Sequence, residues 1–180
     1  PRLQSAVLAS NVFVSQPAYT VVGTVEDASA VVIYVNGGLA ALSGGQFTSQ
    51  INLVEGDNAI DMLAIDLAGN TNRAFGRVVL DTLAPVFIQI TPTNSALYAM
   101  TPISLSGIVA EENLKFVRIG NSIFLSNTNF NIAYQILEGR NDIEFLAEDR
   151  QGHMSIVNRT CFLDSMPPQL TISSPTGRDY

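Results

Sequence analysis

Leu53-Val-Glu-Gly-Asp-Asn-Ala-Ile-Asp-Met-Leu-Ala-Ile-Asp-Leu-Ala-Gly-Asn returns 83 residues later as Ile136-Leu-Glu-Gly-Arg-Asn-Asp-Ile-Glu-Phe-Leu-Ala-Glu-Asp-Arg-Gln-Gly-His. In the first version Ile60, Met62 and Ala64 alternate with Asp61, Leu63 and Ile65; in the second Ile143, Phe145 and Ala147 alternate with Glu144, Leu146 and Glu148. A period of two sends alternate side chains to opposite faces of a strand, so the apolar set points into a core and the glutamates point out. Glycine, asparagine and aspartate bound the run at both ends, as turns do.

The match extends in both directions. Phe47 and Phe130 keep the spacing of 83, as do Leu80-Asp and Leu163-Asp. Further upstream the spacing is 84, joining Pro1, Gly23 and Val25 to Pro85, Gly107 and Val109, so one deletion is expected in the second copy. Pro85 in turn matches Pro168. A repeat of this length marks whole supersecondary units or domains. Domains are therefore expected at 1–84 and 85–167, with the first strand of a third copy over 168–180. In the first copy the alternation and turn residues predict strands at 2–8, 18–26, 31–36, 39–42, 47–54, 58–66 and 73–81. Seven short strands in under about 100 residues is the size of an immunoglobulin-like β-sandwich. No stretch carries a helical stripe of 3.6 residues.

Composition narrows the function. Of 180 residues, 47% are hydrophobic and 14% charged, which suits two well-filled cores rather than disorder. The net charge is −7, and Lys115 is the one lysine among nine basic residues, so phosphate backbones and nucleic acid are excluded as partners. A single cysteine, Cys161, rules out an internal disulfide or a thiolate cage. No apolar run reaches the length of a bilayer span, so no membrane insertion is expected of these residues. The chain opens within an expected strand, and the sequence reads as a piece of something longer.

The motif order Val22-Gly-Thr-Val-Glu-Asp, Val35-Asn-Gly-Gly, Gly45-Gln-Phe, Leu53-Val-Glu-Gly-Asp-Asn, Asp66-Leu-Ala-Gly-Asn and Leu80-Asp-Thr-Leu-Ala-Pro resembles the bacterial immunoglobulin-like repeats of giant surface adhesins. Similar modules accompany secreted polysaccharide-degrading enzymes such as glucodextranase. The second copy departs from the pattern at His153, where the family has Asn, and at Gly120-Asn, which reverses Asn-Gly. The resemblance implies an all-β fold of successive sandwiches and a non-catalytic role as an extracellular or cell-surface spacer or adhesive unit, with the periplasm as an alternative. The partners implied are other domains of the same polypeptide, with a protein or glycan ligand as alternatives, in a monomeric chain. The alternatives in function are an accessory domain of a polysaccharide-active enzyme and a protein-binding subunit of a surface appendage.

Candidate chemistry is sparse. His153 is read as an exposed turn residue and Cys161 as a buried small hydrophobe, so neither supports nucleophilic catalysis. Recurring acids argue against a glycosidase pair, since a catalytic pair is not expected in every copy. Calcium is the one cofactor to weigh. Adhesin repeats similar to this one bind it between domains, and on that resemblance Asp81, Glu111, Glu112 and Asp149 would be the ligands, hard oxygen donors of the right kind. Glu26, Asp27 and Asp66 form the matching set of the first copy, and Asp164 is the acid leading to the third. The competing reading is turn chemistry alone, with Asp66 capping the backbone amides of its own turn and Asp81 simply ending its strand before Thr82 and Pro85. Ile65, Leu67, Phe75 and Val79 are expected on the outer face of the first copy, while most phenylalanines and tyrosines fall at inward or turn positions, which disfavours a sugar-stacking platform.

Overall fold

A computed structural model describes residues 1–5, 12–121, 123–171 and 173. Every regular element among them is a β-strand, and the chain divides into two compact units, Pro1–Leu83 and Ala84–Tyr180.

The first unit runs β1 (Arg2–Ser5), β2 (Val12–Val14), β3 (Ala18–Glu26), β4 (Val31–Val35), β5 (Gly38–Leu39), β6 (Ala41–Ser43), β7 (Gln46–Asn52), β8 (Gly56–Asp66) and β9 (Thr71–Leu80). One sheet has the order β1-β3-β7-β6 and the other β2-β9-β8-β4-β5. Val21, Ile33, Val35, Phe47, Ile60, Met62, Ala64 and Val78 fill the space between them, as the alternation requires. Fully burying one such aliphatic or aromatic side chain stabilises by about 1.5–3 kcal/mol.

Two features lay beyond the expected strands. β2 was not foreseen; it runs parallel to β9, pairing Val12, Phe13 and Val14 with Val78, Val79 and Leu80. The strand expected at 39–42 is really two. Gly38–Leu39 pairs with β4, Ala41–Ser43 pairs with β7, and buried Ala40 lies at the crossing from one sheet to the other. Strands of two and three residues cannot announce such a crossing, because each half makes only two or three ladder pairs.

The second unit repeats the plan with β10 (Val86–Thr91), β11 (Ala96–Tyr98), β12 (Ile103–Ala110), β13 (Leu114–Ile119), β14 (Ile123–Leu125), β15 (Asn129–Tyr134), β16 (Gly139–Asp149) and β17 (Met154–Leu163). Its sheets are β10-β12-β15 and β11-β17-β16-β13-β14. Leu105, Val117, Ile119, Phe130, Ile143, Phe145 and Cys161 lie in its core, with Phe130 stacked on Phe145 at 6.2 Å.

The single expected deletion proves to be a net change. In the first unit Val35 pairs with Gly38 across Asn36 and Gly37, both at positive φ (47° and 78°), the two-residue turn that suits a twisted hairpin. In the second, Ile119 pairs with Ile123, so the loop holds one residue more and begins on Gly120 at φ 57°, which accounts for the reversed Gly-Asn order. The following connection is two residues shorter (38 to 47 against 123 to 130), and the counterpart of β6 is missing among the described residues. Of the expected third-copy strand, residues 168–171 and 173 form no strand and the rest lie outside the described residues. The first strands of the other copies, β1 and β10, pair with β3 and β12.

Gly23 and Gly107 show why a repeated glycine sits inside a strand. Each pairs directly with a core phenylalanine, Phe47 or Phe130, whose ring lies over it. A Cβ at Gly23 would stand 2.4 Å from the Phe47 ring and 2.4 Å from the Gln4 carbonyl oxygen; at Gly107 it would meet the Phe130 ring at 2.4 Å.

Candidate functional site

The acids singled out by the sequence lie in loops or at strand ends, and the hydrogen bonds say what they do. After β8, Asp66 Oδ1 accepts the amides of Ala68 (2.9 Å) and Asn70 (2.8 Å), while Oδ2 accepts the Asn70 side-chain amide at 2.8 Å. The following Gly69 takes φ 84°, the left-handed step that closes such a turn. These bonds, Asn70's side chain foremost, hold the Asp66 carboxyl below the ordinary aspartate range against the opposing effects of desolvation and the nearby Asp27 charge.

After β16 the same turn is built with one exchange. Asp149 Oδ1 accepts the amides of Gln151 (2.8 Å) and His153 (2.9 Å), and Oδ2 lies 2.8 Å from His153 Nδ1. His153 therefore does the work of Asn70: an N–H four residues on, donated to the second carboxylate oxygen. The expectation of an exposed turn residue needs correcting, because this bond holds the imidazole half-buried against a fully buried carboxylate. Among the described residues no hydroxyl or thiol bonds to the ring.

The neighbouring loops follow the same rule. Asp27 Oδ1 accepts the Ser29 amide, and at the equivalent place Glu111 Oε1 accepts the Asn113 amide at 2.7 Å. Buried Asn113 then ties this loop to the turn after β16: its carbonyl accepts the Arg150 amide and its side-chain amide reaches Gln151 Oε1 at 2.9 Å. Glu111, Glu112 and Asp149 thus stand at one end of the second unit. Asp81 and Asp164 each lie one residue past the last strand, and their amides close the parallel pairings, donating to Val14 and Tyr98 carbonyls at 2.8 and 2.9 Å. Glu26 ends β3 opposite Arg2.

Carboxylate oxygens are the donors a hard cation takes. Asp149, however, has both lone-pair directions of Oδ1 filled by amides and one of Oδ2 facing His153, which leaves a cation a single direction on this residue. Turn capping is what the geometry gives Asp66 and Asp149.

A set of groups that sequence reasoning passed over lies at the loops before β8 and β16. Asn58 and Asn141 brace these loops: Oδ1 accepts the amide of Val54 or Leu137, and Nδ2 donates to carbonyls of Val54 and Gly56, or Leu137 and Gly139. From the same loops Glu55 and Glu138 reach forward to Thr82 and Ser165, which are also 83 residues apart. That recurrence of a hydroxyl just past the last strand was the available signal.

On the outer faces, acids sit in ion pairs: Asp61 with Arg73 through two bonds of 2.7 and 2.6 Å, Glu144 with Arg118, and Glu148 with Lys115. Leu67 and Phe75 are exposed as expected, Phe75 under the Arg73 guanidinium at 5.1 Å, and Ile65 is half-buried. Val79 is not on the surface. It is buried beside Phe13 of the unforeseen strand β2. Phe124 and Phe162 are the other exposed phenylalanines. Cys161 is buried in β17, and its burial, with the Asp142 charge second, pushes its thiol pKa up. No helix among the described residues is long and apolar enough to cross a membrane.

The family described as glucodextranase, domain B, matches residues 5–82, essentially the whole first unit. No curated protein matches the chain. Among solved structures, a three-immunoglobulin-domain structure of titin I67–I69, in an E-to-A mutated variant, is 9% identical; the match covers 89% of this chain and 65% of that one, with a TM-score of 0.56. The structure of Dpr11 IG1 bound to DIP-gamma IG+IG2 is 7% identical, covering 91% of this chain and 99% of that one, with a TM-score of 0.52. Identities this low speak for the fold alone. With the strand order, the fold neighbours show the chain to be two immunoglobulin-like sandwiches in succession, the first of which is similar to the family described as glucodextranase, domain B.

Proposed function

We propose that this chain is a non-catalytic spacer of a larger bacterial surface or secreted protein, holding other domains apart rather than carrying chemistry. The observation that supports it is the use of the recurring polar groups. Asp27 and Glu111, Glu55 and Glu138, Asn58 and Asn141, Asp66 and Asp149 are each engaged with loop or turn groups of their own domain, at equivalent places in both. Residues kept for holding loops suit a mechanical part. Pulling the chain between handles tests this: two discrete unfolding events are expected, each releasing about 280 Å of contour, from roughly 3.4 Å per extended residue. Extension at low force with no discrete event would contradict the reading.

A second reading, bracing or glycan contact beside a polysaccharide-active catalytic domain, is favoured by the family match of the first domain. A glycan array that is negative throughout removes its glycan-binding form. We further propose calcium uptake by the acids at one end of the second unit, Glu111, Glu112 and Asp149, the oxygen donors that suit it. A rise of melting temperature with millimolar calcium, removed by Glu111→Gln, supports this; an unchanged melting temperature and scattering profile rejects it.

A further inference from the structure

In both domains the second residue past the last strand is gripped by a glutamate. Glu55 takes the Thr82 amide on one oxygen at 3.1 Å and the Thr82 hydroxyl on the other at 2.7 Å. Glu138 takes the Ser165 amide at 3.1 and 3.3 Å and the Ser165 hydroxyl at 2.6 Å. Both donors of the gripped residue, backbone and side chain, go to one carboxylate, so its backbone is held as well as its side chain. Serine and threonine interchange here, which keeps the hydroxyl and lets the rest of the side chain vary.

The loops carry braces of their own besides the grip. Asn58 and Asn141 already brace those loops with three bonds each. What the glutamates hold is the departing chain. Three residues after each gripped position stands a proline, Pro85 or Pro168. A proline has its own φ fixed and confines the residue before it to extended conformations. Between the grip and the proline only Leu83 and Ala84 remain in the first case, and Ala84 is the confined one.

We infer that Glu55 and Glu138 are positioning residues that latch the chain as it leaves each domain, and that the latch and the proline together set how stiffly one module hands the chain to the next. The inference rests on the spacer reading for its purpose, but its geometry is local to each domain.

Backbone nitrogen relaxation on the whole chain tests it. With Glu55→Ala, order parameters at Leu83 and Ala84 are expected to fall from about 0.85 to below about 0.6, the values of rigid and flexible backbone. Glu138→Ala should leave those two residues unchanged and loosen Met166 instead, which makes each variant the control for the other. Glu55→Gln keeps one acceptor oxygen and should fall between. A Glu55→Ala chain whose first domain melts earlier while Leu83 and Ala84 stay rigid would overturn the latch and leave a plain loop brace. Loosening at Leu83 in a chain that pulls without discrete events would uphold the latch while removing the spacer reading.

Discussion

Gly23 has a phenylalanine ring on one side and a carbonyl on the other. The ring of Phe47 could swing a little to admit a methyl group, but the Gln4 oxygen is backbone and belongs to the ladder of β1 with β3. Gly23→Ala is therefore expected to destabilise the first domain by about 1–3 kcal/mol, the usual cost of overpacking. Gly107→Ala should cost less, because the Gln89 oxygen there lies 3.1 Å away and the closest contact is with a ring alone. Urea midpoints of the two variants would check the order, and equal midpoints would contradict it. The carboxylates make a second prediction at this scale. Asp61, Asp66 and Asp142 all titrate below the ordinary range in the folded chain, held chiefly by Arg73, by Asn70 and by Thr160. A depressed folded value means the stabilisation is present above the ordinary value of about 3.9 and is lost as pH falls through the folded one. The melting temperature should thus hold its level from these groups between about pH 7 and 5 and drop below about pH 4. Asp66→Asn, which turns a donor toward the Asn70 amide, should show a shallower drop.

The hairpin-and-crossing segment is where the two domains part at the level of elements. β6 covers Gln46, Phe47 and Thr48 of β7, whereas their equivalents Asn129, Phe130 and Asn131 of β15 form a sheet edge. Edge-facing amides lose the protection of a ladder partner, so those of Asn129–Asn131 should exchange with solvent faster than those of Gln46–Thr48. Equal protection by hydrogen-exchange NMR would mean the edge is covered. The asparagines and Thr128 put polar side chains along this edge, a common defence against unwanted pairing. The long strands were legible in the sequence because Ile60-x-Met62-x-Ala64 and its repeat have enough turns of alternation to fix a face. β2 was not, because Val12, Phe13 and Val14 are a three-residue apolar run with no alternation, defined only by the β9 edge it joins. The same holds for the site. Asp66 and Asp149 could be read as turn caps from Asp-x-x-Gly spacing, while the partnership of Glu55 with Thr82 spans 27 residues and exists only once the sandwich is closed.

At the scale of the molecule, each unit carries its own core cluster, and among the described residues neither cluster draws members from the other. The chain is thus built to open in parts, as separately cored domains do. The placement of its one sulfur nucleophile gives a way to watch this. Cys161 is fully buried in the second core, and the first unit contains no cysteine at all. A thiol-specific reagent can react only after the second core has opened, so its labelling rate is a clock for that domain and is blind to the other. In mild urea the rate is expected to follow the opening of the second domain and to be unmoved by Gly23→Ala; a rate that rises with that variant would show the two cores opening together. A single side chain, chosen for its size in the packing, makes the chain its own stopwatch.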